Sequence, residues 1–141
     1  MDVELVYLAG FIDGEGSIRI GTNRSSNGER RWYLILSCHQ RNPEPLRRLH
    51  RRFGGSVRYQ AKHKPRPIFE WAITSDMAGR AIAELRPWLL VKADEADLAL
   101  TFQSLLHHNA GKRAPLTGDE KMRRDMIYRA MRNLKLREYL D

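Results

Sequence analysis

Two carboxylates one residue apart, Asp13 and Glu15, lie in the string LAGFIDGEG at residues 8–16, each followed by a glycine. The residues before them, Val3, Leu5, Val6, Leu8, Ala9, Phe11 and Ile12, predict a helix over 3–12 that is apolar on nearly all sides. A helix without a polar face is buried on more than one side. The acids then stand against the negative end of the helix dipole. Two negative charges there are unfavourable unless a cation or a capping role compensates. Gly14 and Gly16 allow a sharp backbone path and leave carbonyls free to face an ion. Carboxylate plus backbone carbonyl is an oxygen set suited to Mg2+. For an isolated D-G-E-G, a helix cap and turn whose acids are merely solvated is the better reading, so these residues alone do not establish a metal site.

The elements that must hold this segment follow from periodicity. Residues 17–23 alternate as a strand, with Ile18 and Ile20 on one face and Ser17 and Arg19 on the other. Residues 23–29 form a loop. The stretch 31–40 is a second strand, with Trp32, Leu34, Leu36 and Cys38 inward and Arg31, Tyr33, Ile35, Ser37 and His39 outward. Asn42, Pro43 and Glu44 open a helix that carries Leu46, Leu49 and Phe53 inward and stops at Gly54 and Gly55. Strands follow near 56–62 and 68–74, the latter with Phe69, Trp71 and Ile73 inward and Glu70, Ala72 and Thr74 outward. Helices cover 76–85, which Pro87 stops, and roughly 93–108. Thr117 and Glu120 form a capping box for a last helix to about 139, with Met122, Met126, Ala130 and Leu134 on one stripe. Trp32, Trp71 and Trp88 all fall on apolar patterns that suit a core.

This order predicts an α+β fold: a four-stranded antiparallel sheet with helices on one face only, and a second face left open for a ligand. Residues 1–109 are the core domain, 110–117 a linker and 118–141 a C-terminal helix. The 141 residues suffice for one sizeable core. They hold no apolar run long enough for a membrane span, and the N-terminus lacks the basic start of a secretory signal. The single cysteine, Cys38, excludes an intrachain disulfide and any cysteine-based metal cluster, and a cytoplasmic protein is expected. Lysine plus arginine outnumber the acids 25 to 17, a net charge of +8. The basic residues cluster at Arg30–Arg31, Arg47–Arg48, Arg51–Arg52, 62–66 and 121–124. Such a field suits a polyanion.

The whole string at 8–16, with Ser17 and Ile18 after it, closely resembles the signature of the LAGLIDADG homing endonucleases, differing at Phe11, Gly14 and Glu15. The resemblance extends through Trp32 to Val57, with LRRLHRRFGGSV after Gln40, and through LRPWLLVKADEADL at 85–98. With one copy of the signature, it implies the αββαββα fold of that family and a homodimer. It also implies Mg2+- or Mn2+-dependent cleavage of double-stranded DNA at a palindromic or near-palindromic site, in the service of intron or intein mobility.

Carried over by position, the resemblance makes Glu15 the metal-binding acid and the Gly14 carbonyl a second ligand. Asp13 becomes a structural acid, Gln40 a positioner of water and Lys92 a lysine near the cleavage centre. Leu8, Ala9, Gly10 and Ile12 are expected at the dimer interface, where small residues allow close backbone approach. Strand parity puts Ser17, Arg19, Asn23, Arg31, Tyr33, Ile35, Ser37, His39, Arg58, Gln60 and Glu70 against DNA. The rival reading is a DNA-binding regulator, or an RNA-splicing maturase with RNA as its partner, that kept the fold and lost cleavage.

Overall fold

The first helix starts where Asp2 accepts a hydrogen bond from the Leu5 amide at 3.1 Å, and it runs as α1, Val3–Glu15. It is longer than the predicted 3–12, because Asp13, Gly14 and Glu15 remain helical. Neither Gly14 nor Gly16 takes a left-handed backbone. The helix ends when Gly16, in extended conformation, donates its amide to the Ile12 carbonyl. Gly16 has a steric role instead, since a Cβ there would lie 2.9 Å from both the Ile12 Cδ1 and the Ile12 carbonyl oxygen.

In this computed structural model, which describes residues 1–60, 66–108 and 116–137, strand β1, Gly16–Arg24, follows α1 without a linker. A hairpin turn closed by Gly28 N–H to the Ser25 carbonyl leads into β2, Arg30–Gln40. Next come α2, Glu44–Phe53, then β3, Ser56–Gln60, and β4, Ile68–Thr74. Helix α3, Ser75–Leu85, runs into a single 3-10 turn over Arg86–Trp88. The chain continues as α4, Ala93–His108, and α5, Gly118–Leu136. The linker expected at 110–117, the basic run 62–66 and the chain's last residues lie largely or wholly outside the described residues.

The sheet is antiparallel throughout, in the order β1-β2-β4-β3. Register puts Ile18 opposite Leu36, Ile20 opposite Leu34 and Cys38 opposite Trp71. These inward rows join Leu5, Leu8, Ala9 and Ile12 of α1, Leu46 and Leu49 of α2, Ile82 and Leu85 of α3, and Phe102 of α4 in one core. The helices thus cover one face, as the alternation predicts. After α2, Gly54 and Gly55 both take φ near +85° (83° and 86°), a turn that side chains resist. The Gly54 carbonyl accepts the Trp71 indole N–H at 2.9 Å. Arg52 ties α2 to the start of α1 and to α3 through Asp2 at 2.6 Å, Glu4 at 3.8 Å and Glu84 at 3.4 Å.

Two expectations about the core are corrected. The inward side of α5 is Arg124, Ile127, Tyr128 and Met131, while Met122 and Met126 are exposed; only Ala130 and Leu134 of the expected stripe face α4, in a groove with Leu98 and Thr101. The inward stripe holds an arginine, which hid it from a hydrophobic count. Trp88, expected in the core, is exposed because it sits in the turn after α3.

Candidate active site and nucleic-acid interface

The unfavourable charge at the end of α1 is compensated from 79 residues away. The Lys92 ammonium donates to the Asp13 carbonyl at 2.7 Å, placing a cation against the helix's negative end. The Asp13 carboxylate in turn accepts the Leu90 amide at 2.7 Å and the Lys92 amide at 3.0 Å. Asp13 and Lys92 therefore clip the turn before α4 onto the last turn of α1. Asp13→Asn leaves one oxygen for two amides and turns an N–H2 toward a donor. It should cost about 1–3 kcal/mol of stability, the penalty for an unsatisfied polar group, read by denaturant unfolding. An unchanged midpoint would show the clip to be dispensable.

Glu15 is the last residue of α1 and is exposed, with no ion pair among the described residues. The Gly14 carbonyl lies in the same final turn, where carbonyls lack helical donors. Pairing of Gly16 with Cys38 puts Glu15 at the end of the sheet where β1 begins and β2 finishes. Cys38 feels both site charges: burial first, then the Glu15 carboxylate, push its thiol up to about 12, against the opposing pull of Lys92. A thiol held so firmly protonated is no nucleophile at neutral pH. Gln40 lies at the same sheet end, two residues beyond Cys38, with its side-chain oxygen accepting the Arg41 amide at 3.1 Å.

A hard divalent cation takes six or more oxygens. Glu15 and the Gly14 carbonyl are suitable donors, but they are two, and among the described residues no group of three His, Cys, Asp or Glu side chains could hold a metal. These two oxygens are suited to such an ion but fall short of a full coordination shell.

The open face of the sheet is fixed by register. Ser17 pairs with Ser37, Arg19 with Ile35 and Asn23 with Arg31; His39 and Arg58 each pair with Glu70, and Gln60 with Ile68. All eleven residues expected on this face share it with Gly21 and Thr74. Tyr33, Arg19, Arg58 and Glu70 line a groove of about 400 Å³. Ile35 and Ser37, only 5% and 4% exposed, form its floor beneath longer neighbours, so they are less reachable than parity suggests. The expectation omitted Ser56, Ala72, Thr74 and Met77, which also line it; the first three are legible from the same alternation. The Glu70 carboxylate accepts from the Gln60 side-chain Nε2 at 3.3 Å and pairs with His39 at 2.8 Å.

The basic clusters divide by how they are used. Arg47 and Arg51 of α2 face Glu44, and Arg48 lies 5.9 Å over the Tyr7 ring. Arg19, Arg31 and Arg58 on the open face form no ion pair with an acid among the described residues. Their charge is available to a polyanion.

Of the four residues expected at the dimer interface, Leu8, Ala9 and Ile12 are 0% exposed and belong to the chain's own core. A helix apolar all round gave no direction to choose by. Gly10 faces outward, on a stripe with Val3, Tyr7 and Gly14, and nothing lies within 4 Å of where a Cβ at Gly10 would stand.

The sequence pattern of the LAGLIDADG endonucleases matches residues 8–84, more than half of the chain and all of the segment that carries Asp13, Glu15 and the sheet. The chain belongs to the LAGLIDADG endonuclease family. No curated protein matches it. Solved structures share the fold of this LAGLIDADG protein. The homing endonuclease I-CvuI, crystallised with the I-CreI target in the presence of Mg and with its DNA uncleaved, superposes with a TM-score of 0.79 at 17% identity, over 99% of this chain and 86% of that one. The archaeal intron-encoded homing endonuclease I-Vdi141I, complexed with DNA, gives 0.78 at 17% identity, over 98% and 87%. The homing endonuclease I-TnaI gives 0.69 at 19% identity, over 96% of both chains.

Proposed function

We propose that this LAGLIDADG chain is a homodimeric, divalent-metal-dependent endonuclease that cuts both strands of a palindromic or near-palindromic DNA site. The observation that carries the proposal is the placement of Glu15. It is an exposed carboxylate in the last turn of α1, the turn that Lys92 caps through the Asp13 carbonyl, at the end of a sheet whose open face holds Arg19, Arg31 and Arg58, none of them ion-paired among the described residues. DNA is the partner found with I-CvuI and I-Vdi141I.

Each protomer presents one carboxylate and one carbonyl, and duplex cleavage requires two attacks. Pairing the outward stripe of α1, Val3, Tyr7, Gly10 and Gly14, with its copy brings two Glu15 residues together. Exposed Leu90 and Val91 extend this apolar surface, because Leu90 is bonded to Asp13 at the end of α1. The length relation to I-SmaMI, a homing endonuclease bound to cleaved DNA, agrees: the fold covers 90% of this chain but 43% of that one, leaving room for a second unit there.

In this arrangement Glu15 and the Gly14 carbonyl would hold Mg2+ or Mn2+. When bound, such an ion neutralises phosphate charge and acidifies water at neutral pH. Gln40 orients water at the sheet end. Lys92 offers its ammonium to the phosphate, and the open sheet face reads base edges in the major groove. Among the described residues no helix is long and apolar enough to cross a membrane.

Gly10→Leu separates pairing from folding. Its Cβ meets open space, and replacing a helical glycine favours the helix by about 0.5–1 kcal/mol. The melting temperature of the monomer should hold or rise, while light scattering at micromolar concentration shows loss of the dimer and cleavage falls with it. A dimer that survives the substitution, or a wild-type monomer that still cuts both strands, would sink the pairing. Selection of cleaved sites from a random duplex library with Mg2+ tests the function itself. Enrichment of a symmetric site is the expected result; tight, specific binding without any cut product would favour the regulator.

A further inference from the structure

Among the residues that line the groove on the open face, Glu70 is the one acid. A carboxylate on a surface that meets phosphates works against affinity, and its contacts give the reason for its presence. The Glu70 side chain is 22% exposed against 46% for His39, so it lies lower than its neighbour. One oxygen meets the His39 Nε2 at 2.8 Å, from β2, and the other accepts from the Gln60 Nε2 at 3.3 Å, from β3. Glu70 itself belongs to β4, which runs between those two strands. His39 faces it directly in register, and Gln60 lies on the diagonal, two residues along β3 from its partner Arg58. The three side chains thus form one bridge across three strands.

A carboxylate can only accept hydrogen bonds. The Gln60 group that faces it is therefore the N–H2 and not the oxygen. A free glutamine amide can turn over and present its donor and acceptor in either order. This one is held, because turning it would set Oε1 against the Glu70 carboxylate. The second N–H and the oxygen remain side by side for another partner, and Gln60 is exposed on the open face. That donor–acceptor pair matches the N7 and N6-amino edge of adenine in the major groove, whereas guanine offers two acceptors there. We propose that Gln60 reads an adenine in each half-site, and that Glu70, braced by His39, is the positioning residue that fixes how Gln60 reads it. The inference rests on the endonuclease reading of the open face and adds to it the chemistry of one base position.

The test reads base preference, which a purely structural or purely electrostatic role of Glu70 leaves alone. Sites bound in Ca2+ would be selected from a random duplex library by wild type and by Gln60→Ala, and the position where the two differ is the one that Gln60 reads. Affinities would then be measured for duplexes carrying each of the four bases there. Wild type should favour adenine by roughly ten-fold or more, the worth of one bidentate pair, and Gln60→Ala should bring the four near parity. Glu70→Leu keeps bulk and removes both acceptor oxygens. It should lose most of the adenine preference, while any gain in affinity from the lost charge appears equally with all four bases. The double variant should match Gln60→Ala, because Glu70 acts only through Gln60. Gln60 and Glu70 stand outside the core, so thermal melts of the variants should stay close to wild type. A wild-type preference in Glu70→Leu, a further loss in the double variant, or a base other than adenine at the Gln60 position would each overturn the assignment while leaving the endonuclease reading intact. A wild type that enriches no sequence at all would remove that reading, and the assignment with it.

Discussion

Glu15→Gln should leave a folded protein that binds its DNA site and does not cut it. The substitution keeps size and shape and removes only charge. Glu15 makes no ion pair among the described residues, and the closure of α1 depends on Gly16 and Ile12, so the fold has nothing to lose. Cleavage should drop on the order of 10³-fold, the scale of losing one preorganised group that stabilises transition-state charge. Affinity for the duplex should hold or rise, because one negative charge per protomer leaves a surface that faces phosphates. Single-turnover cleavage in Mg2+, alongside binding measured in Ca2+, separates the two quantities. If Glu15→Gln cuts normally, the catalytic acid lies elsewhere. If the wild type binds a site tightly and never cuts it with Mg2+ or Mn2+, the protein is a regulator.

Lys92→Met should be the second large effect, and it differs in kind. The ammonium that the cleavage reading aims at phosphate is bonded to the Asp13 carbonyl at 2.7 Å. Its removal therefore uncaps α1 as well as the reaction centre. Stability should fall by about 0.3–1 kcal/mol, the usual worth of a cation at a helix C-terminus. The cleavage rate should fall on the order of 10²-fold, the lower end for removing one transition-state donor, with duplex affinity changing far less. Turnover that stays at the wild-type level while the melting point drops would make Lys92 a helix cap and nothing more. The amide of residue 92 bonds to Asp13 whatever the side chain, so the turn itself should survive.

Alternation and periodicity were enough for the element order, the antiparallel sheet and its inward rows, because each strand repeats its pattern over several residues. The open face followed from the same parity; Arg19 and Arg58, on strands that never touch, line one groove. The end of α1 was harder. Glycines at 14 and 16 read as a stop, yet the helix runs through Glu15, and what stabilises it is a lysine on a distant turn. Local sequence carries no trace of such a contact. The inward face of α5 was misread for a related reason: Arg124 occupies a buried position on it. The interface expectation at Leu8, Ala9 and Ile12 failed because an all-apolar helix has two faces to bury and its sequence does not say which is intramolecular.

The junction at Glu15 and Gly16 has a consequence for what kind of target this protein can follow. The final residue of α1 and the first residue of β1 are adjacent, with no intervening loop, and Gly16 is packed too tightly against Ile12 to bend there with a side chain. In the proposed dimer, the helix that sets the distance to the other protomer and the strand that reads bases are therefore one stiff piece. The spacing of the two half-sites is a property of how closely two α1 helices approach, while their letters are a property of side chains on the sheet. A lineage of such proteins can drift in the letters one substitution at a time, but it is committed to its spacing.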